Sequence, residues 1–496
     1  MPFEKDELDN AIKQYKLDDL LCLIGNKSQE MFMKKVPFEW LTWKRGAYDT
    51  LKQLMPVWGL AELSHRAIIN SNDHRSKRPT WEDLCKLNNL LAKVTDDYSR
   101  NRRNKTNEEA RITVFFGIPA EQLWWQDMVR GGKYAYYNFI RYYLLLKEMP
   151  KYFPDLRKPE DDLMEITGFG MEDFSKLMLV FHAWGTMANS EVTLKGFNKE
   201  ITEAEPILTE ENLNKCLTHF SGNYDYYKKE EHPNNPLFFK PIIQTSNKRF
   251  IISNTFLMTR KFYEGIYWII RDKYFNLKSQ DFTNAFGKYY EKYIEELLGY
   301  YLKSKDFEKL DNQQGGADWL IRTNKYVLIV EQKSSLMSVA LKRHYPSLNK
   351  FEQYLGGFKE ASIQLEKTRK QIGIGDKKVI RLILHFESLF LKEKYIKPEI
   401  IRMLNSEIDL SMLYLIDTYE FERLIQTLSK DQSVFDDIIN DKIECENSAV
   451  SPADGLDFDY IIQKRIGWEE TDFLEKYRFV FDSLFKEIRS KNKSSN

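Results

Sequence analysis

Cysteine is scarce: the 496 residues hold four, Cys22, Cys85, Cys216 and Cys445. None stands in a C-x-x-C spacing, which excludes a zinc ribbon and a disulfide framework. A reduced, cytoplasmic setting is therefore expected. Long apolar runs are missing as well. The longest, Leu177 to Ala188, is interrupted by His182 and is too short to span a bilayer, so no membrane partner is expected. The opening residues MPFEKDELDNAIKQY are polar and of mixed charge, unlike a signal peptide. There is no net charge, because 74 basic residues balance 74 acidic ones. Contact with nucleic acid would have to come from a local patch, not from the field of the whole molecule. No repeat period is visible, which argues against a solenoid.

What is present is enough apolar residue, 42 %, to bury a sizeable core. The length suggests two or three domains. Residues 1–235 read as a largely helical, aromatic-rich accessory domain for recognition, regulation or assembly. Helical spacing recurs in Thr50–Leu60 and Trp124–Leu146. Two basic clusters fall here, His74–Arg78 and Arg100–Lys105. Either could meet phosphates, though solvated loops account for them as well. The aromatic crowd around Trp124, Trp125, Tyr134, Tyr136 and Tyr137 could stack bases, but core packing is the simpler expectation. His182, His219 and His385 lie in apolar settings and are expected to be packed. His344 is nearest the motif discussed below.

The texture changes near Pro233. The segment FFKPIIQTSNKRFIIS reads as two strands around a turn, and a helix is expected from Thr283 to Lys303. A hairpin follows, then a helix over Leu348–Ile372. VIRLILHF and MLYLI read as buried strands. This order makes residues 236–430 a compact unit with a mixed sheet flanked by helices. Residues 431–496 read as an acidic linker and a last helix over Asp472–Ile488.

The stretch with chemistry in it is GGADWLIRTNKYVLIVEQKSS, Gly315 to Ser335. With Asn324-Lys325 at the turn, Thr323 faces Tyr326. The same centre sets Asp318 directly opposite Glu331 on one face. Lys333 shares the face of Glu331, because side chains alternate along a strand. Like charges directly opposite each other destabilise a sheet, so a cation is called for. Lys333 supplies one. A hard divalent ion such as Mg²⁺ or Mn²⁺, which accepts one or two carboxylates plus waters, suits the rest. Val327 to Val330 are apolar on both faces, which marks a buried central strand. Charges at the end of such a strand are costly and tend to mark sites.

An Asp, a hairpin and then E-x-K resembles the signature of the PD-(D/E)xK, or restriction endonuclease-like, nuclease superfamily. Ala317 stands where that family often has Pro. Two neighbours extend the resemblance. Gly287-Lys288-Tyr289-Tyr290-Glu291 matches a G-x-x-[aromatic]-E helix, and Gln364 matches a glutamine in the helix after E-x-K. The resemblance implies that Asp318, Glu331 and the Gln332 carbonyl bind the metal. It implies that Lys333 is the catalytic lysine, and that Glu291 and Gln364 assist. The implied activity is metal-dependent hydrolysis of phosphodiester bonds. DNA is the expected substrate, and restriction or anti-phage defence the expected setting. A homo-oligomer, and a protein partner through the first half, are compatible with it. An inactive scaffold on the same fold, or an RNA-cleaving effector, stays open beside it.

Overall fold

The computed structural model describes residues 3–36, 38–45, 49–103, 131–187, 190–192, 205–229, 235–310, 316–336, 348–373, 376–387, 393–404, 408–447, 458–467 and 471–478. It mixes helices with three sheets. No helix among these residues is long and apolar enough to cross a membrane.

The first half opens with α1 (Phe3–Ile12) and α2 (Leu17–Met33). An antiparallel pair follows, β1 (Phe38–Arg45) and β2 (Asp49–Pro56), then α3 (Val57–Asn70) and α4 (Trp81–Arg103). The expected helix over Thr50–Leu60 is thus corrected: a strand occupies its first part, and Pro56 marks the change to helix. Further on come α5 (Gly131–Tyr143), α6 (Pro159–Thr167), α7 (Met171–Met187) and α8 (Glu210–Leu217). A second sheet gathers β3 (Glu191–Val192), β4 (Ser221–Asn223), β5 (Ile242–Gln244) and β6 (Phe250–Ile252). Strands β5 and β6 flank the turn read from Thr-Ser-Asn-Lys, in which Lys248 takes a left-handed φ of 57°.

Between that sheet and the hairpin run two long helices, α9 (Thr255–Asn276) and α10 (Asp281–Tyr301). The main sheet has five strands: β7 (Phe307–Lys309), β8 (Trp319–Arg322), β9 (Tyr326–Lys333), β10 (Lys378–His385) and β11 (Leu413–Asp417). Their spatial order is β11-β10-β9-β8-β7. Strands β9, β10 and β11 are parallel, while β8 and β7 pair antiparallel. Tyr326 to Glu331 are all buried, as a β-branched run in a central strand should be.

Both faces of this sheet are covered. Trp319, Ile321, Leu328 and Val330 point into a core shared with α10, and the same core takes in α5, α7 and α9. Leu320, Val327 and Ile329 point to α11 (Leu348–Gln371) on the other face. Helix α12 (Glu393–Leu404) packs beside α11. The first core continues into α13 (Thr418–Lys430), α14 (Gln432–Asn447), α15 (Phe458–Ile466) and α16 (Asp472–Glu475). Hence the core does not divide at the expected boundary near residue 235: Phe139 and Phe181 lie in one cluster with Leu328 and Phe473.

Two further expectations are revised. Residues 432–447 form a helix, not a loop, because Phe435, Ile438 and Ile439 are buried while Asp437 and Glu444 are exposed. The expected last helix runs over Asp472–Glu475 and gives way to a turn at 476–478, and residues 479–488 lie outside the described residues. Trp124, Trp125, Asn104, Lys105, Gly315 and His344 lie outside the described residues. Tyr134 and Tyr137 are buried, and Tyr134 packs edge-on against Tyr419, so these rings serve the core. In the first basic cluster, Lys77 lies over the Tyr15 ring and Arg78 pairs with Asp19.

Candidate active site

The hairpin register sets the site. Trp319 pairs with Val330 and Leu320 with Ile329, and beyond the turn Thr323 N–H donates to the Tyr326 carbonyl at 3.0 Å. Continued one step, this register brings Asp318 opposite Glu331. Asp318 N–H donates to the Val330 carbonyl, and its own carbonyl accepts from Leu310 of the β7 side. The Asp318 carboxylate then takes the next N–H of the ladder, that of Gln332, at 2.7 Å. One carboxylate oxygen is thereby fixed by the backbone.

Glu331 is almost fully buried, 3 % exposed. Its Oε1 accepts from the Lys333 ammonium at 2.8 Å, but among the described residues its buried Oε2 has no donor. Burial pushes its carboxyl pKa up to about 8, the facing Asp318 charge adds to the rise, and Lys333 opposes it. Two carboxylates in this position need a shared proton or a cation between them.

Helix α11 closes the cluster from above. Gln364 accepts from Lys333 Nζ at 3.2 Å and donates to the Gly316 carbonyl at 3.5 Å. One turn further on, the Thr368 hydroxyl accepts from the Ala317 N–H at 2.8 Å. The helix is itself anchored on β10, where the buried Arg381 guanidinium donates to Glu366 at 2.7 Å. So α11 grips the two residues ahead of Asp318. Thr368 was not among the residues singled out from the sequence, yet it stands four positions after Gln364, on the same helix face. Thr368→Val should leave the Ala317 N–H buried without an acceptor and lower stability by about 1–3 kcal/mol. Thr368→Ser should stay near the wild type. Thermal unfolding of the two variants measures this, and equal melting points would refute it.

The structure brings together Asp318, Glu331, Lys333 and Gln364. It does not bring Glu291 to them. The Glu291 carboxylate pairs with Lys309 on β7, on the α10 side of the sheet, where Lys309 stands across from Trp319. The helix motif was readable, but not the face of the sheet it would meet. The Gln332 side chain is also on that side, where its amide oxygen accepts from the Trp319 indole at 3.0 Å. His385 is the converse case. It lies at the end of β10, level with Lys333 in the parallel register and buried. No sequence pattern announces which strand will lie next to which. His385 is packed as expected, edge-on to Phe358, and so are the other two: His182 stacks on Phe262 at 4.3 Å, and burial pushes its pKa down to about 4. His219 lies edge-on to Phe174.

Among the described residues, no group of three or more His, Cys, Asp or Glu converges on one point. Among the described residues, the hairpin sets two carboxylates, Asp318 and Glu331, across from each other. That fits a hard ion which keeps waters and takes phosphate oxygens, and it does not fit the closed nitrogen and sulfur sets of structural zinc. Compared with protein-family models, curated proteins and solved structures, the chain matches none.

Proposed function

We propose that this chain is a metal-dependent nuclease that hydrolyses phosphodiester bonds, DNA before RNA, on a restriction endonuclease-like core. The observation that carries the reading is the buried pair Asp318 and Glu331, with Glu331 Oε2 left without a donor among the described residues and the Lys333 ammonium beside it. Such an arrangement destabilises a sheet unless a cation joins it. It lies at the carboxyl end of a parallel strand, where open α/β sheets bind ligands.

The Asp318 and Glu331 carboxylates and the Gln332 carbonyl would hold Mg²⁺ or Mn²⁺, which supplies a bound water of lowered pKa and neutralises phosphate charge. Asp318 is preset for this by the Gln332 N–H. Lys333 has two of its N–H groups on Glu331 and Gln364. Among the described residues its third meets no acceptor, which would let it orient the attacking water or meet a phosphate oxygen. Gln364 holds Lys333 and the Gly316 peptide in one frame, so that ammonium and carboxylates keep a fixed spacing. No protein nucleophile is required.

The test is incubation of the purified chain with plasmid, linear DNA and RNA in Mg²⁺, Mn²⁺ or EDTA. The expected result is cation-dependent cleavage of DNA, abolished in Asp318→Ala and retained in Glu291→Ala. Cleavage of RNA alone would move the reading to an RNA-cleaving effector. Cleavage of neither would leave an inactive scaffold and overturn the proposal.

A further inference from the structure

We propose that the ion pair between Arg260 and Glu387 is a positioning device for the reaction site, acting on Lys333 through the end of β10. The inference rests on the nuclease reading above, and it concerns residues on the opposite side of the sheet from the carboxylates.

Residues 385–387 leave the sheet directly beside Lys333, and each is tied. Phe386 N–H donates to the Lys333 carbonyl at 2.9 Å, so the main chain of the lysine is held by this segment. The Phe386 and His385 carbonyls accept from the Thr418 hydroxyl at 3.1 and 3.4 Å. That hydroxyl is shared with Tyr290 of α10 at 2.8 Å. The His385 ring contacts the Glu387 carbonyl through Nδ1, which turns the imidazole along the segment. Finally the Glu387 carboxylate is bound by the Arg260 guanidinium of α9. Arg260 is in turn braced by Glu264, one turn on, at 2.6 Å.

Two features make this more than packing. First, the Phe386 ring is packed against Tyr142, Phe286 and Tyr290, but the Glu387 carboxylate next to it borders open polar space. A polar cavity of about 30 Å³ lies there, bordered by Arg260, Glu264, Phe386 and Glu387 and by Arg141 and Asp417. That is room for about one water. The placement of the Glu387 carboxylate is therefore set by its charged contact with Arg260. Second, a buried ion pair adds little net stability over an apolar replacement, whereas its directional hydrogen bonds fix geometry. Placed one residue from the hydrogen bond to Lys333, that geometry is passed to the ammonium. A misplacement of about 1 Å at a reacting group costs about 10²-fold in rate.

Glu387→Gln keeps the shape and removes the charge. Arg260→Lys keeps the charge and removes the fork. With wild-type protein cutting DNA in Mn²⁺, Glu387→Gln is expected to lower kcat about 10- to 100-fold. KM and the rise in melting temperature on adding Mn²⁺ should stay unchanged, and any fall in the melting temperature should be small because Glu264 stays on Arg260. Arg260→Lys should fall between the two. The double variant should lose no more than Glu387→Gln alone, because residues acting as one unit are not additive. Unchanged kcat in both single variants overturns the inference and leaves the nuclease reading intact. So does a loss that tracks melting temperature or KM, which marks a merely structural pair. Wild-type protein that cuts no nucleic acid overturns the nuclease reading, and the inference falls with it.

Discussion

Lys333→Ala is expected to lower cation-dependent cleavage by about 10²–10³-fold, the loss typical of removing one preorganised electrostatic donor. The side chain is about three-quarters covered, and its ammonium is held at 2.8 Å from Glu331 and 3.2 Å from Gln364. It meets the reaction already oriented, so the loss should appear in kcat, with substrate binding little changed. Lys333→Arg should not restore the rate, because a planar fork cannot reproduce a compact ammonium bonded to both Glu331 and Gln364. Single-turnover cleavage of a short duplex, with circular dichroism to show that the variant is folded, measures the effect. A Lys333→Ala protein cutting at the wild-type rate would remove this residue from the chemistry.

The second large effect is on stability. Glu331 has a folded-state pKa of about 8, raised from an ordinary 4.5 by burial and by Asp318. An acid whose folded pKa is raised favours the fold while protonated. Its contribution is complete below about pH 4.5 and is lost as pH rises towards 8. A pKa change of this size corresponds to about 5 kcal/mol at most. Cation-free protein should therefore melt progressively lower between pH 5 and pH 8. Glu331→Gln, neutral at every pH, should flatten that decline and melt higher than wild type at pH 8. Adding Mn²⁺ at pH 8 should raise the wild-type melting point, because a ligand that binds only the folded chain stabilises it, and should do little for Glu331→Gln. A wild-type melting profile with no slope over this range would show that the pair is not strained.

The parts of the fold that the sequence made legible are those where pattern and burial agree. The alternation and turn of the hairpin were sufficient to pair Asp318 with Glu331, and VIRLILHF and MLYLI were dense enough to announce β10 and β11. What was not legible has physical reasons. Helix α9 is buried along most of its length, from Thr255 to Tyr267, so it lacks the one-sided stripe by which a surface helix is read. Residues 432–447 carry enough acid to resemble a loop, although Phe435, Ile438 and Ile439 are buried and Ile443 is partly so. Strand β2 was misread because a short run of mixed residues fits either period. In the site, the hairpin pattern picked out Asp318, Glu331 and Lys333, and the family resemblance added Gln364 on the next helix. Glu291, Thr368 and His385 depended on which face a helix presents and which strands are neighbours, and those are tertiary facts.

The continuity of the main core bears on the order of events during synthesis. Its members run from Ala135 to Leu474, so the layer beneath β8, β9 and β10 is incomplete until nearly the whole chain has emerged. Contacts this distant in sequence close slowly, and larger chains pass through partly packed states while they wait. The hairpin bearing Asp318 and Glu331 can form early, but it lacks α13 and α14 to cover its far side and to hold its turn through Lys325 and Asp436. A half-made chain would thus carry the carboxylates without a rigid frame. On the proposed nuclease reading, competence to cut would arrive late, all at once, with the last helices.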